Sequence, residues 1–128
     1  MTVTEDRILP DRDAEGKVTV SLERLSKLPT AFACNCDVTA YVLLNALKEN
    51  GIRVPEDVSV VGFDDYILAD LAVPSLTTYA IDVDHMAKVS AQQLIRRIQK
   101  PEAEVRRIVV SGKLVIRESV QKHSGNTA

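Results

Sequence analysis

Residues 30–65 read "TAFACNCDVTAYVLLNALKENGIRVPEDVSVVGFDD", and their order decides the fold. "TAFACN", residues 30–35, is short, apolar and rich in small residues, which predicts a buried strand. Asp37 then opens a helix: an aspartate is a good N-cap, and its charge suits the positive end of the helix dipole. Ala40, Tyr41, Leu44 and Leu47 fall on one helical face, widened by Val38 and Leu43. Asn50 and Gly51 supply the stop signal. After the short link "RVP", "DVSVVG" (residues 57–62) predicts a second strand. Strand, helix and strand joined by short links form a βαβ unit, which requires parallel strands. The near-continuous apolar content of these strands predicts a sheet covered on both faces.

The same alternation extends outward. "YILADLAV" predicts a short helix or turn ended by Pro74, and "LTTYAI", residues 76–81, a third strand. Asp82 or Asp84 can cap a helix that runs to about Gln99, with Met86, Ala87, Ala91, Leu94, Ile95 and Ile98 as its apolar stripe. "RRIVVSGKLVIRES" predicts two short strands around Ser111 and Gly112, and residues 121–128 a flexible tail. Upstream, "EGKVTVSLERLSKL" predicts a helix on the spacing of Val18, Leu22 and Leu25, against the counter-signals of Gly16 and several β-branched residues. The fold class is therefore α/β, built from parallel-sheet βαβ units.

Composition narrows the function. The chain has 128 residues, 45% hydrophobic and 27% charged, the balance of one modest globular domain or part of a larger one. Its net charge of −2 gives no electrostatic basis for gripping nucleic acid by itself or for a polybasic membrane surface. No apolar run is long enough to cross a bilayer, and the N-terminus lacks a signal-peptide pattern, so a cytoplasmic location is expected. Cys34 and Cys36 are spaced neither as a redox pair nor as half of a zinc site, so they read as small buried hydrophobes; no metal site and no cofactor is expected.

The candidate chemistry lies where strands end. In open α/β sheets, ligands sit beyond the C-terminal ends of the strands. Asp64 and Asp65 occupy that position, and an aspartate there accepts hydrogen bonds from ligand hydroxyls or binds Mg²⁺. An equally good reading is that "GFDD" only forms a polar turn. Neighbouring residues cannot both point at one ligand, so one of the pair serves structure. Asn35, Cys36 and Asp37 lie at another strand-to-helix junction, where Asp37 reads more simply as a cap. No nucleophile elbow, phosphate loop or H-E-x-x-H motif is present, so no catalytic residue is assigned and an enzyme is not expected.

"GIRVPEDVSVVGFDD", followed by "PSLTT" and the closing "LVIRES", resembles the effector-binding region of the LacI/GalR family of transcription regulators. The resemblance spans roughly residues 8–120. It implies part of a type I periplasmic-binding-protein-like domain, in which two α/β subdomains flank a cleft and the chain crosses between them three times. Residues 1–79 and 111–120 would belong to the C-terminal subdomain, and residues 80–110 to the N-terminal one, whose remaining strands would normally cover the helix at 83–99. The helix-turn-helix and most of the N-terminal subdomain are absent from the matching stretch.

The resemblance also implies a small-molecule effector, sugar-like, together with a homo-oligomer, DNA contact only through an N-terminal domain outside this stretch, and no membrane. Asp64 matches the family aspartate that hydrogen-bonds the effector, and Asp37 the aspartate of an Asn-Asp pair. The Asn position of that pair is Cys36 here, a departure that puts the usual sugar pose in doubt; Asn35 precedes it. Ile81 and Val83 match cleft-lining positions near the hinge, and the segment around Asp11 and Arg12 falls near the cleft. Tyr41, Leu44, Asn45 and Leu71 match dimer-interface positions; the Tyr41-Leu44 stripe reads equally as core, with Leu47 assigned to core and Tyr41 to the interface. Two rivals share features of the chain. They are a sugar-binding protein of a transport system, and a Mg²⁺-dependent phosphoacceptor domain, which would need a further aspartate and a lysine at strand ends.

Overall fold

A computed structural model describes residues 5–122. The elements are β1 (Ala31–Ala33), α1 (Asp37–Glu49), β2 (Ser59–Asp64), α2 (Ile67–Leu71), β3 (Thr77–Ile81), α3 (Val83–Gln99) and β4 (Gly112–Val115), preceded by 3₁₀ turns at Glu5–Arg7 and Leu22–Arg24. The four strands form one sheet in the order β1-β2-β3-β4. The first three are parallel, with Ala33 opposite Val61 and Asp64 opposite Ala80, while β4 returns antiparallel beside β3.

The βαβ unit forms as its residues require. α1 starts after Cys36, which is the N-cap; Asp37 is the first helical residue instead of the cap expected from its type. The helix stops where Asn50 donates its side-chain amide to the Ala46 carbonyl and Gly51 takes φ +71°. That left-handed conformation is open to glycine without steric cost. In the following link, Arg53 clamps Asp57 through both guanidinium and backbone N–H, holding the Asp57 carboxyl down at about 2.

One face of the sheet is packed. Ala40, Leu43, Leu44 and Leu47 of α1 meet Val58 and Val60 of the β2 region, together with Ala69, Ala72 and Leu76. The opposite face carries Phe63 and Tyr79, stacked with ring centroids 5.5 Å apart, and the exposed Leu114. The expected cover on both faces is therefore incomplete among the described residues, since Phe63, Tyr79 and Leu114 stay exposed. α3 leaves a cavity of about 510 Å³ between its Met86, Val89 and Gln93 and the sheet residues Phe63, Tyr79 and Ile81.

Ser119 closes the N-terminal end of the sheet. Its hydroxyl accepts from Thr77 N at 2.8 Å and donates to the Val60 carbonyl at 2.6 Å, so the returning chain is stitched between β2 and β3. Gln121 follows suit by donating to Ser59 Oγ and the Glu56 carbonyl. The start of the expected mobile tail is thus tied down, and residues 123–128 lie outside the described residues.

Two further expectations are corrected. Residues 15–28 do not form a helix. Gly16 takes φ +80°, Arg12 bridges Val18, and Asp13 accepts from Glu15 N and Lys17 N, so the β-branched run is extended and only Leu22–Arg24 turns. Residues 106–110 form no strand before β4, because no neighbouring strand among the described residues offers them hydrogen bonds.

Leu47→Ala should cost about 2–5 kcal/mol, the usual range for emptying a packed leucine site. Leu71→Ala, at an exposed position, should stay within about 0.5 kcal/mol. Urea denaturation of both variants measures the contrast.

Candidate functional site

The site is organised by one buried carboxylate. Asp37, in the first turn of α1, is fully buried. Its Oδ1 accepts from Thr78 Oγ1 of β3 at 2.6 Å, and its Oδ2 accepts from Tyr66 N at 2.7 Å. Gly62 of β2 leaves the room this requires: a Cβ there would collide with Asp37 Oδ1 and Leu76. Asp37 therefore ties α1 to the segment after β2 and to β3. With both oxygens engaged and no solvent exposure, it is neither a simple N-cap nor open to a ligand.

Asp64 and Asp65 follow at the C-terminal end of β2, and both have positive φ, 110° and 59°. Such values are uncommon outside glycine and mark a strained turn that its surroundings must hold. The holding groups are specific. Thr78 Oγ1 accepts from Asp65 N at 3.4 Å, and Asp37 takes the next amide, Tyr66 N. Arg117, beyond β4, donates to Asp65 Oδ1 at 2.8 Å, to the Leu76 carbonyl at 3.0 Å and to Asp70 at 2.7 Å. Asp65 thus fixes the turn. Asp64 is exposed at the strand end, and partial burial, followed by the nearby Asp37 charge, raises its pKa above the ordinary carboxylate value.

A second polar group lies at the end of β1. Asp11 Oδ2 accepts from Asn35 Nδ2 at 2.9 Å and from Thr39 Oγ1 at 3.3 Å, and the Asn35 bond leads the effects that hold the Asp11 carboxyl below its usual range. Cys36 Sγ lies 3.5 Å from Thr39 Oγ1. Asn35, Cys36 and the segment around Asp11, separated in sequence, thus meet in one place. Cys34 packs against the core, and burial pushes its thiol up to about 12.

The remaining candidates divide. Ile81 borders the cavity beside α3, whereas Val83 is exposed at the start of that helix; Asp64 is not part of the cavity lining. Of the interface candidates, Asn45 and Leu71 are exposed and Tyr41 is partly buried against the core. Leu44 is 5% exposed within the core cluster, so its packing role takes precedence over an interface role. Among the described residues, no group of three or more His, Cys, Asp or Glu side chains could hold a metal ion.

The periplasmic binding protein-like domain family matches residues 2–120. The chain belongs to that family. Its similarities within the family run to LacI-type regulators, in keeping with the motif "GIRVPEDVSVVGFDD". A probable HTH-type transcriptional repressor, ExuR of Bacillus subtilis, is 35% identical over 105 residues, covering 80% of this chain and 32% of its own length. A solved complex of the transcriptional regulator CelR with cellobiose is 36% identical with a TM-score of 0.67, covering 70% of this chain and 28% of that one. A LacI family regulator from Enterococcus faecium, solved with bound ribose, is 31% identical with a TM-score of 0.67, covering 73% and 35%. This periplasmic-binding-protein-like chain spans about a third of the length of the curated relatives it matches.

Sequence reasoning found the aspartate pair but missed Arg117 and Thr78. Each acts across the sheet from a distant point in the chain, and neither is marked by local spacing. Because the folded pKa of Asp64 lies above its unfolded value, its ionisation subtracts stability as pH rises through the folded pKa. Asp64→Asn should therefore melt at a higher temperature than the parent near neutral pH, and the difference should narrow as pH falls and Asp64 protonates. Thermal melts across pH 3–8 check this.

Proposed function

We propose that this chain is the effector-contacting and dimer-forming part of a LacI-type transcription regulator. The single observation that supports this best is the exposed Asp64 carboxylate, set at the C-terminal end of β2 by a turn that Asp37, Thr78 and Arg117 hold from three directions. A carboxylate so placed accepts hydrogen bonds from the hydroxyls of a sugar-like effector. Sugars bound in two solved relatives, cellobiose and ribose, favour that ligand class.

In this reading Asp64 contacts the effector directly. Asn35, oriented by Asp11, and Cys36 form the adjoining wall, while Asp37 positions the turn without touching the ligand. Ile81 and Val83 present apolar surface near the crossing from β3 to α3. Among the described residues, 5–79 and 111–120 form the C-terminal subdomain, and residues 80–110 cross into the N-terminal one. Tyr41, Asn45 and Leu71 face a second protomer.

The protein is cytoplasmic and non-enzymatic. DNA is bound by a helix-turn-helix outside these 128 residues. An effector that binds the closed cleft better than the open one shifts the population between DNA-competent and incompetent dimers. The transport-protein reading is disfavoured because curated relatives are named as transcriptional repressors.

Titration of the chain with cellobiose and with ribose, followed by amide NMR shifts, tests the site. Shifts should centre on Asn35, Cys36, Asp64 and Asp65. They should vanish in Asp64→Ala while the spectrum stays that of a folded protein. Saturable shifts that persist unchanged in folded Asp64→Ala would sink the assignment.

A further inference from the structure

Arg117, just beyond β4, is anchored at both ends by the start of β3. Its backbone N–H donates to Thr77 Oγ1 at 2.9 Å, and its Nη1 donates to the Leu76 carbonyl at 3.0 Å. The side chain is only 15% exposed, so these contacts set its position. That leaves Nη2 and its two N–H donors. Nη2 lies 2.8 Å from Asp65 Oδ1 and 2.7 Å from Asp70 Oδ1. One nitrogen therefore serves two carboxylates, one from the turn after β2 and one from α2.

The two claims on Nη2 are unequal. Asp65 is 30% exposed and sits at φ 59°, a conformation that a non-glycine residue keeps only when its surroundings hold it. Asp70 is 70% exposed on a helix of five residues. Water competes for Asp70 more than for Asp65, so the Asp70 contact is the one that yields to changes at the surface. When Asp70 lets go, the whole pull of Nη2 falls on Asp65. Asp64 precedes Asp65 in the same turn, so the direction of its carboxylate follows that grip.

We infer that Arg117 is a positioning residue that makes the aim of Asp64 depend on α2, with Asp70 as the tuning partner. The inference rests on the proposed effector role of Asp64 and deepens it. Leu71, next to Asp70, faces the second protomer in the proposed assembly, so the effector contact and the protomer surface share one guanidinium. By linkage, a change at either end is felt at the other.

Three-bond HN–Hα couplings and amide shifts of Asp64, Asp65 and Tyr66 report the turn without any ligand. Arg117→Gln should change them, and Asp70→Asn should shift the Asp65 and Tyr66 amides. In the Arg117→Gln background, Asp70→Asn should shift neither. Asp65→Gly relieves the strained φ and removes the carboxylate, so in that background Arg117→Gln should leave the Asp64 coupling where it is. An Arg117 that served only Leu76 and Thr77 would still disturb the turn there. For whichever of ribose and cellobiose the parent binds, Arg117→Gln should weaken affinity about fivefold or more, the lower end of ordinary coupling between sites.

Unchanged couplings in a folded Arg117→Gln variant overturn the inference. So does an Asp70→Asn shift that persists without Arg117, since it would then travel along the chain. If Arg117→Gln does not fold, Asp70→Asn is read in the Asp65→Gly background instead. The Tyr66 shift should vanish there, and its persistence overturns the inference. If neither sugar binds the parent, the effector assignment of Asp64 fails by itself, and the ligand-free couplings still decide for Arg117.

Discussion

The buried carboxylate of Asp37 is the interaction on which the ligand end of the sheet depends. A carboxylate withdrawn from water is costly unless hydrogen bonds replace its hydration. Here the replacements are the Thr78 hydroxyl and the Tyr66 amide, one on β3 and one just beyond β2. Satisfying one side chain therefore brings three elements into register. Gly62 belongs to the same constraint, since any side chain there would take the space of the carboxylate.

That constraint explains how a strained turn persists. Asp64 and Asp65 both sit at positive φ, where a non-glycine residue requires support. Asp37 holds the amide after the turn, Thr78 holds the amide within it, and Arg117 holds the Asp65 side chain while also reaching Asp70 on α2. The two adjacent aspartates are thus unequal. Asp65 is spent on structure, and Asp64 is left with its carboxylate presented to solvent.

The same division between satisfied and unsatisfied surface runs through the whole chain. Below the turn, Ser119 and the α1 face close a small aliphatic core. Beyond β3 the balance changes: α3 is well formed and well capped by Asp82, yet buries none of its residues. An amphipathic helix gains most of its stability from packing. The exposed apolar side chains of α3 and the half-bare sheet face carrying Phe63 and Tyr79 are two places among the described residues where apolar surface is left uncovered.

The sequence by itself determined the βαβ order, the stop of α1 at Asn50 and Gly51, the end of α3 near Gln99, and the placement of Asp64 at a strand terminus. These follow from signals within a few residues of one another: apolar period, caps, glycine and proline. It misjudged residues 15–28, where helical spacing was outweighed by Gly16 and a β-branched run, and residues 106–110, where strand-forming residues have no strand to pair with. Only the tertiary structure decided that Asp37 is buried instead of capping, that Leu44 belongs to the core, and that Arg117 and Thr78 brace the Asp64 turn. Those outcomes depend on hydrogen-bond partners more than 40 residues apart in several cases, such as Thr78 with Asp37. A local pattern holds no information about a partner that only the folding of the sheet brings within reach.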